Sequence, residues 1–188
     1  MKPYVVLIRG INVGGKNKIS MSQLKISLEK LGFLHVSTYI ASGNVILKSD
    51  KPVSDIKTLI EQMLPKVFKL DSELIKVLVL SSTQIKNVIG NKPEGFGEQS
   101  GKYHSDVIFL IDIDAKEAFK VFNPKEGVDK IWIGGGVIYS QRLSMLRTKS
   151  RLNRIMVSPA YQSLTIRNWN TTLKLLALIT DGTYNTVI

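Results

Sequence analysis

Residues Gly10-Ile-Asn-Val-Gly14-Gly15-Lys16-Asn17-Lys18 follow an apolar strand, Tyr4 to Ile8, and read G-x-x-x-x-G-K-N. That is one residue short of G-x-x-x-x-G-K-[ST], the loop whose backbone amides cradle phosphates. Gly10, Gly14 and Gly15 permit positive φ and close backbone approach, so successive N–H groups can converge on one anion. Lys16 and Lys18 add charge, with Arg9 and Asn12 in the same stretch. The chemistry on offer is anion binding. Nucleotide hydrolysis fits poorly: Asn17 stands where the magnesium-holding hydroxyl belongs, the helix begins only near Met21, and the element order is not that of a parallel sheet. A glycine loop serving only to turn the chain is the alternative reading.

A second basic stretch holds Arg142, Arg147, Lys149, Arg151 and Arg154. Ser150 is placed to cap a short helix with Leu152, Ile155 and Met156 inward and Arg151 and Arg154 on the other side, and Pro159 stops it. A solvated helix face is the competing reading. Arg167 and Asn168 stand just ahead of an apolar helix starting near Trp169; Asn168 suits an N-cap. A cation at a helix's positive end calls for an anion between them, either a ligand or an internal carboxylate. His104 and Asp106 share a strand face at i, i+2, enough to orient an imidazole, but no nucleophile is tied to them by spacing. No metal-ligand cluster, cofactor motif or catalytic residue is identifiable in the sequence.

The net charge of +11 is unevenly spread. Residues 1–28 carry five Lys/Arg and no acid, and residues 130–180 carry eight and no acid, so half of the 26 bases lie in two acid-free segments. Segregated charge raises the local potential and attracts anions. Cysteine is absent, which excludes disulfides and thiolate metal sites and suggests a reducing compartment. The apolar runs are too short for a signal peptide or a membrane helix. The expectation is a cytoplasmic protein without a membrane partner.

Periodicity gives the frame that carries these residues. A strand over 4–9 leads to a helix capped by Ser20 with Gln23 three residues on, its face formed by Met21, Leu24, Leu28 and Leu31. Strands over 35–41 and 44–48 flank Ser42-Gly43; a helix begins near Ser54, and Leu74–Leu80 forms a fourth strand. This β-α-β-β-α-β order is the ferredoxin-like split motif. After a short helix over 82–89 and a connector of linker composition, 91–102, the order restarts with a strand over 106–111, a helix from Asp114, a hairpin over 131–139 and a helix over 169–180. The fold expected is α+β: two ferredoxin-like halves, 1–90 and 103–188, from an internal duplication, the second with its last strand missing or abbreviated; Thr183–Ile188 either supplies that strand or frays. Against that frame, residues 10–19 and 143–167 are long connections where about two to six residues suffice. They lie in the acid-free segments and are the expected carriers of function.

Tyr4-Val-Val-Leu-Ile-Arg-Gly-Ile-Asn-Val-Gly-Gly-Lys-Asn-Lys, Thr38-Tyr-Ile-Ala-Ser-Gly-Asn-Val, Ser150-Arg-Leu and Thr165-Ile-Arg-Asn-Trp-Asn-Thr-Thr-Leu-Lys-Leu together resemble a bacterial family catalogued as domain of unknown function 1697. The resemblance implies two ferredoxin-like halves and brings no activity, cofactor or catalytic residue. The reading is a protein that binds a phosphate-bearing anion (nucleotide, phosphorylated metabolite or nucleic acid) at a basic cleft between its halves. Arg9, Gly10, Asn12, Gly14, Gly15, Lys16 and Lys18 form one wall, and Arg147, Arg151, Arg154, Arg167 and Asn168 the other. The alternatives are a transferase or hydrolase acting on a phosphorylated substrate through Lys16 or Arg167, and a structural or interaction protein without a small ligand. Sheet-face RNA stacking is disfavoured because Asn44–Lys48 carries no aromatic residue.

Overall fold

The computed structural model describes residues 1–71 and 75–181. It is an α+β protein with two four-stranded antiparallel sheets. The chain divides into two compact units, Met1–Ile85 with Lys174–Ile188, and Lys86–Leu173.

In the first unit, β1 (Lys2–Arg9), α1 (Met21–Lys30), β2 (Leu34–Tyr39), β3 (Asn44–Ser49), α2 (Val53–Val67) and β4 (Lys76–Ser81) follow in order. The sheet runs β2-β3-β1-β4. One of its two inner strands, β1, is buried from Tyr4 to Ile8, as its unbroken apolar run requires of a strand paired on both edges. Tyr4, Val6 and Ile8 pack with Val45, Leu47, Val77 and Val79 against Leu24 and Leu28 of α1 and Ile56, Ile60 and Leu64 of α2. The Ser20 side chain accepts from the Gln23 amide, so α1 starts where its cap dictates.

After α3 (Ser82–Gly90), the second unit builds β5 (Tyr103–Leu110), α4 (Ala115–Lys120), β6 (Asp129–Ile133), β7 (Val137–Leu143) and β8 (Leu164–Asn168), in sheet order β6-β7-β5-β8. Three 3₁₀ segments, η1 (Ser144–Lys149), η2 (Leu152–Val157) and η3 (Pro159–Ser163), join β7 to β8, and α5 (Trp169–Asp181) follows. Two expectations are corrected here. Residues 143–167 are not one loop added to a complete frame: Leu164–Asn168 is the fourth strand of this sheet, paired antiparallel with β5 from Asp106↔Asn168 to Leu110↔Leu164. Where the first unit has the 15-residue α2, the second has 3₁₀ turns, because Ser150 and Ser158 bond the backbone two residues on and Pro159 follows at once. The alternative source of that strand, Thr183–Ile188, lies outside the described residues.

The connector 91–102 also holds more than its composition suggests. Phe96 is wholly buried in edge-on contact with Trp132, Tyr139 and Trp169, at centroid distances of 6.0, 5.1 and 5.2 Å. Gly95 and Gly97, at φ 71° and 78°, turn the chain sharply on either side of it.

Candidate functional site

The glycine loop is a closed miniature hairpin. Gly14 (φ 60°) and Gly15 (φ 77°) are the two central residues of a turn in which the Lys16 amide donates to Val13 O at 3.1 Å, and the Asn12 amide donates to Asn17 O at 3.1 Å. Two positive φ values in succession suit a type I′ turn. Asn12 braces it from below: its Oδ1 accepts from the Ile19 amide at 2.8 Å, and its Nδ2 donates to Ile19 O and Ala41 O at 3.0 and 2.9 Å. Asn17, 3% exposed, locks the other side, donating from Nδ2 to Gly10 O at 2.8 Å. The residue that breaks the nucleotide-loop signature is thus the one that fastens the loop.

Charge in this loop differs from its sequence. Asp71, from the α2–β4 connection, accepts from the Asn17 amide at 2.7 Å and returns its own amide to Asn17 Oδ1 at 2.7 Å. A segment free of acid in sequence has a carboxylate on its inner amide in space. What the loop offers outward is its rim: Gly14, Gly15, Lys16 and Lys18, all exposed. A methyl group built on Gly14 or Gly15 meets nothing within 4 Å, so the protein's own packing does not require glycine there. Replacing Asn17 by Ala is expected to cost about 2 kcal/mol in a urea melt, since it leaves Gly10 O and the Asp71 amide unpaired. The Lys16→Ala/Lys18→Ala double variant should stay within about 0.5 kcal/mol. Arg9, half-buried, ends β1 opposite Lys76.

In the second unit, strand register sorts one sheet face into rows. Leu110 lies beside Leu164, and Ile108 between Ile138 and Ile166; these apolar rows pack with Ala118 of α4 and Ile155 of η2. The next rows are polar. Asp106 lies between Ser140 and Asn168, His104 beside Arg142, and Arg142 beside Asp129. Asp106 Oδ2 takes His104 Nε2 and Arg142 Nη2, each at 3.1 Å. Burial pushes the Asp106 carboxyl above its usual range, and the charges of His104 and Arg142 pull it part of the way back. Beside this cluster is a cavity of about 130 Å³ lined by Tyr103, His104, Ser105, Asn168, Trp169 and Asn170.

The polar rows also fix the basic segment. Arg142 Nη1 donates to Asn153 Oδ1 on η2 at 2.8 Å, and Asp129 Oδ2 accepts from the Arg151 amide at 2.9 Å and the Lys125 amide at 3.0 Å. At three residues per 3₁₀ turn, Leu152 and Ile155 stack on one edge and are buried. Asn153 and Met156 form the second edge, and Arg154 with Val157 the third, in line with Arg151. Met156 is 55% exposed, not inward as its spacing suggested, because a 3₁₀ turn carries it off the Leu152–Ile155 edge. Arg147, Lys149, Arg151 and Arg154 are all exposed, and among the described residues none has a carboxylate within ion-pair distance.

Arg167 and Asn168 part company. Asn168 caps α5, its Oδ1 accepting from the Asn170 amide at 3.0 Å, while Nδ2 donates to Ser105 O at 3.2 Å. Arg167 lies on β8 opposite Val107, on the other sheet face from Asp106, and is 8% exposed. Its Nη1 donates to Thr165 Oγ1 and Ile166 O at 2.9 and 2.8 Å. Burial pushes its guanidinium down to about 10, still charged at neutral pH. Asp106 and His104 were legible as sharing a face, whereas Arg142 and Asn153 come to them only through β5–β7 pairing and the path of η2. No helix among the described residues is long and apolar enough to cross a membrane.

Comparison with known proteins gives a family and a fold. The model of a family described as "Protein of unknown function (DUF1697)" matches residues 1–139. The chain is similar to a solved structure, that of conserved bacterial protein SP0830 from Streptococcus pneumoniae. The two are 24% identical with a TM-score of 0.78, and the match covers 95% of this chain and 98% of that one. No curated protein matches the chain.

Proposed function

We propose, for a chain that belongs to the DUF1697 family, a family of unknown function, that the protein binds a phosphate-bearing anion through the exposed cations of η1 and η2. The observation that carries this reading is the set Arg147, Lys149, Arg151 and Arg154, exposed and without an ion-pair partner among the described residues. Unpaired like charges held close together on a fixed element repel one another, and an anion relieves that repulsion. Arg151 and Arg154 share one edge of η2, and guanidinium forks suit phosphate oxygens. In the first unit the rim Gly14, Gly15, Lys16 and Lys18 supports a second anion contact, weakened by Asp71 at the loop's inner amide.

The test is titration with inorganic polyphosphate and with a single-stranded oligonucleotide at several salt concentrations. Affinity should fall steeply as salt rises. The Arg151→Ala/Arg154→Ala double variant should bind at least tenfold more weakly, with thermal stability nearly unchanged. Equal binding by variant and parent would remove these residues from the site.

One observation favours a catalytic reading: the His104–Asp106 pair beside the 130 Å³ cavity. A carboxylate on one ring nitrogen orients the other as a base. Turnover of a panel of phosphate esters, lost in His104→Gln while anion binding persists, would establish a hydrolase or transferase. The shared strand order of the two sheets supports two ferredoxin-like halves from an internal duplication; the bounds read from sequence, 1–90 and 103–188 with a 91–102 connector, differ from the compact units, which place Lys86–Leu173 in the second. The absence of cysteine supports a cytoplasmic location.

A further inference from the structure

We infer that the anion bound by the second unit is amphipathic: an organic phosphate whose apolar or aromatic group enters a pocket at the start of η1. This inference rests on the anion-binding reading above and adds the class of ligand. The pocket has a volume of about 480 Å³ and is lined by Gly101, Lys102, Leu143, Met145 and Leu146. That volume falls in the range of small-molecule sites.

Its walls are built from backbone hydrogen bonds. The Ser144 amide donates to Lys102 O at 2.9 Å, tying the η1 side of the pocket to the 99–102 turn. That turn is closed by the Lys102 and Tyr103 amides, which donate to Gln99 O at 2.8 and 3.0 Å. The Leu143 amide donates to Val128 O at 3.0 Å, holding the end of β7 to the residue before β6. A methyl group built on Gly101 meets nothing within 4 Å, so the turn leaves open space at that wall.

The lining is almost wholly apolar, and Lys102 is the one charged residue among those that line it. Leu143, Met145 and Leu146 supply the apolar wall, and Met145 is 94% exposed. An unbranched, polarisable side chain at that exposure can fold down over a guest of irregular shape. Lys102 supplies the charge. Its Nζ lies 5.2 Å from the centroid of the Tyr103 ring, and among the described residues it has no carboxylate within ion-pair distance. Arg147 follows Leu146 directly and Lys149 is two residues further on, both exposed.

Charge complementarity selects the occupant. Inorganic phosphate would meet Lys102 but leave the leucine and methionine surface in water. A neutral apolar compound would bury that surface and leave the cations without a counter-charge. A phosphate monoester of an aromatic or aliphatic alcohol satisfies both sides at once.

The experiment compares four probes by calorimetry on the full chain: inorganic polyphosphate, inorganic phosphate, 1-naphthyl phosphate and 1-naphthol. Naphthyl phosphate should bind at least tenfold more tightly than either inorganic phosphate or naphthol. Met145→Ser removes apolar surface from the pocket without adding charge, on a side chain too exposed to affect folding. It should reduce the naphthyl advantage over inorganic phosphate severalfold, read as the ratio of the two affinities. Naphthyl phosphate binding no better than inorganic phosphate, or with the same advantage in Met145→Ser, overturns the pocket assignment and leaves the anion-binding reading standing. Naphthol binding as tightly as its phosphate overturns the role of Lys102. Failure of polyphosphate and both phosphates to bind overturns the anion-binding reading, and this inference with it.

Discussion

Replacing Arg142 by alanine is expected to cost about 3–5 kcal/mol in a urea or thermal melt, the largest loss among the single substitutions considered. Arg142 is 9% exposed and its partner Asp106 is 8% exposed. Removing the guanidinium leaves a buried carboxylate with only His104 and Asn168 beside it. It also leaves Asn153 Oδ1 without its donor. Arg142→Met keeps most of the apolar stem and should lose nearly as much, because the stranded charge, not the lost volume, sets the cost. Adding Asp106→Asn to Arg142→Met should recover most of it.

The pH dependence has a definite sign. Burial already holds the Asp106 carboxyl above its ordinary value of 3.8, and losing Arg142 removes a charge that pulls it down, so in the variant it rises further. The folded state then binds more protons than the unfolded state between the ordinary value and the raised one. Stability of the variant relative to the parent therefore improves as pH falls through the raised value, and the deficit is greatest at neutral pH. A deficit below about 1 kcal/mol at pH 7, or one that grows on acidification, would show that Asp106 does not depend on Arg142. Because Arg142 and Asp129 both hold η2, Arg142→Met/Asp106→Asn should stay folded yet bind polyphosphate more weakly, η2 having lost its tie through Asn153.

The first unit is the more legible in sequence. Its apolar periods coincide with its elements, and Ser20 marks the start of α1 as its residue type says. The second unit is harder for a specific reason. Leu164-Thr-Ile-Arg-Asn alternates as a strand should, but its second face, Thr165 and Arg167, is polar and still buried. A buried arginine removes the apolar-or-polar contrast on which period-2 reading depends. Phe96 was hidden the same way, since Gly95 and Gly97 score as flexible linker while serving to insert an aromatic ring. The site was legible only as local charge. The carboxylate on the glycine loop comes from Asp71, 54 residues from Asn17 in the chain, and Arg142 reaches Asp106 across 36. Nothing in local spacing records either meeting; strand register and loop packing create them.

The last expected result separates two glycines that share a positive φ but not their surroundings. Gly43 (φ 73°) and Gly14 (φ 60°) both have positive φ, so alanine at either incurs about 1–2 kcal/mol of backbone strain. Their surroundings differ. A methyl group on Gly43 would lie 2.4 Å from Ile8 O and 3.1 Å from Ile11 Cδ1. The Ile8 oxygen is backbone at the end of β1, and Gly43 O itself accepts from the Ile8 amide at 2.8 Å, so neither chain can withdraw. Overpacking adds about 1–3 kcal/mol, and Gly43→Ala should lose about 2–5 kcal/mol. Gly14→Ala meets open space and should lose only about 1 kcal/mol, part of its strain being offset by the reduced freedom of the unfolded chain. Equal losses in paired denaturant melts would refute the packing argument. Gly14→Asn carries the comparison to function, because asparagine tolerates positive φ and should melt like the parent. If glycine at this tip serves only the turn, polyphosphate affinity will not change. If an anion approaches the exposed amides of Gly14 and Gly15, the added side chain will weaken it severalfold while the fold stays intact.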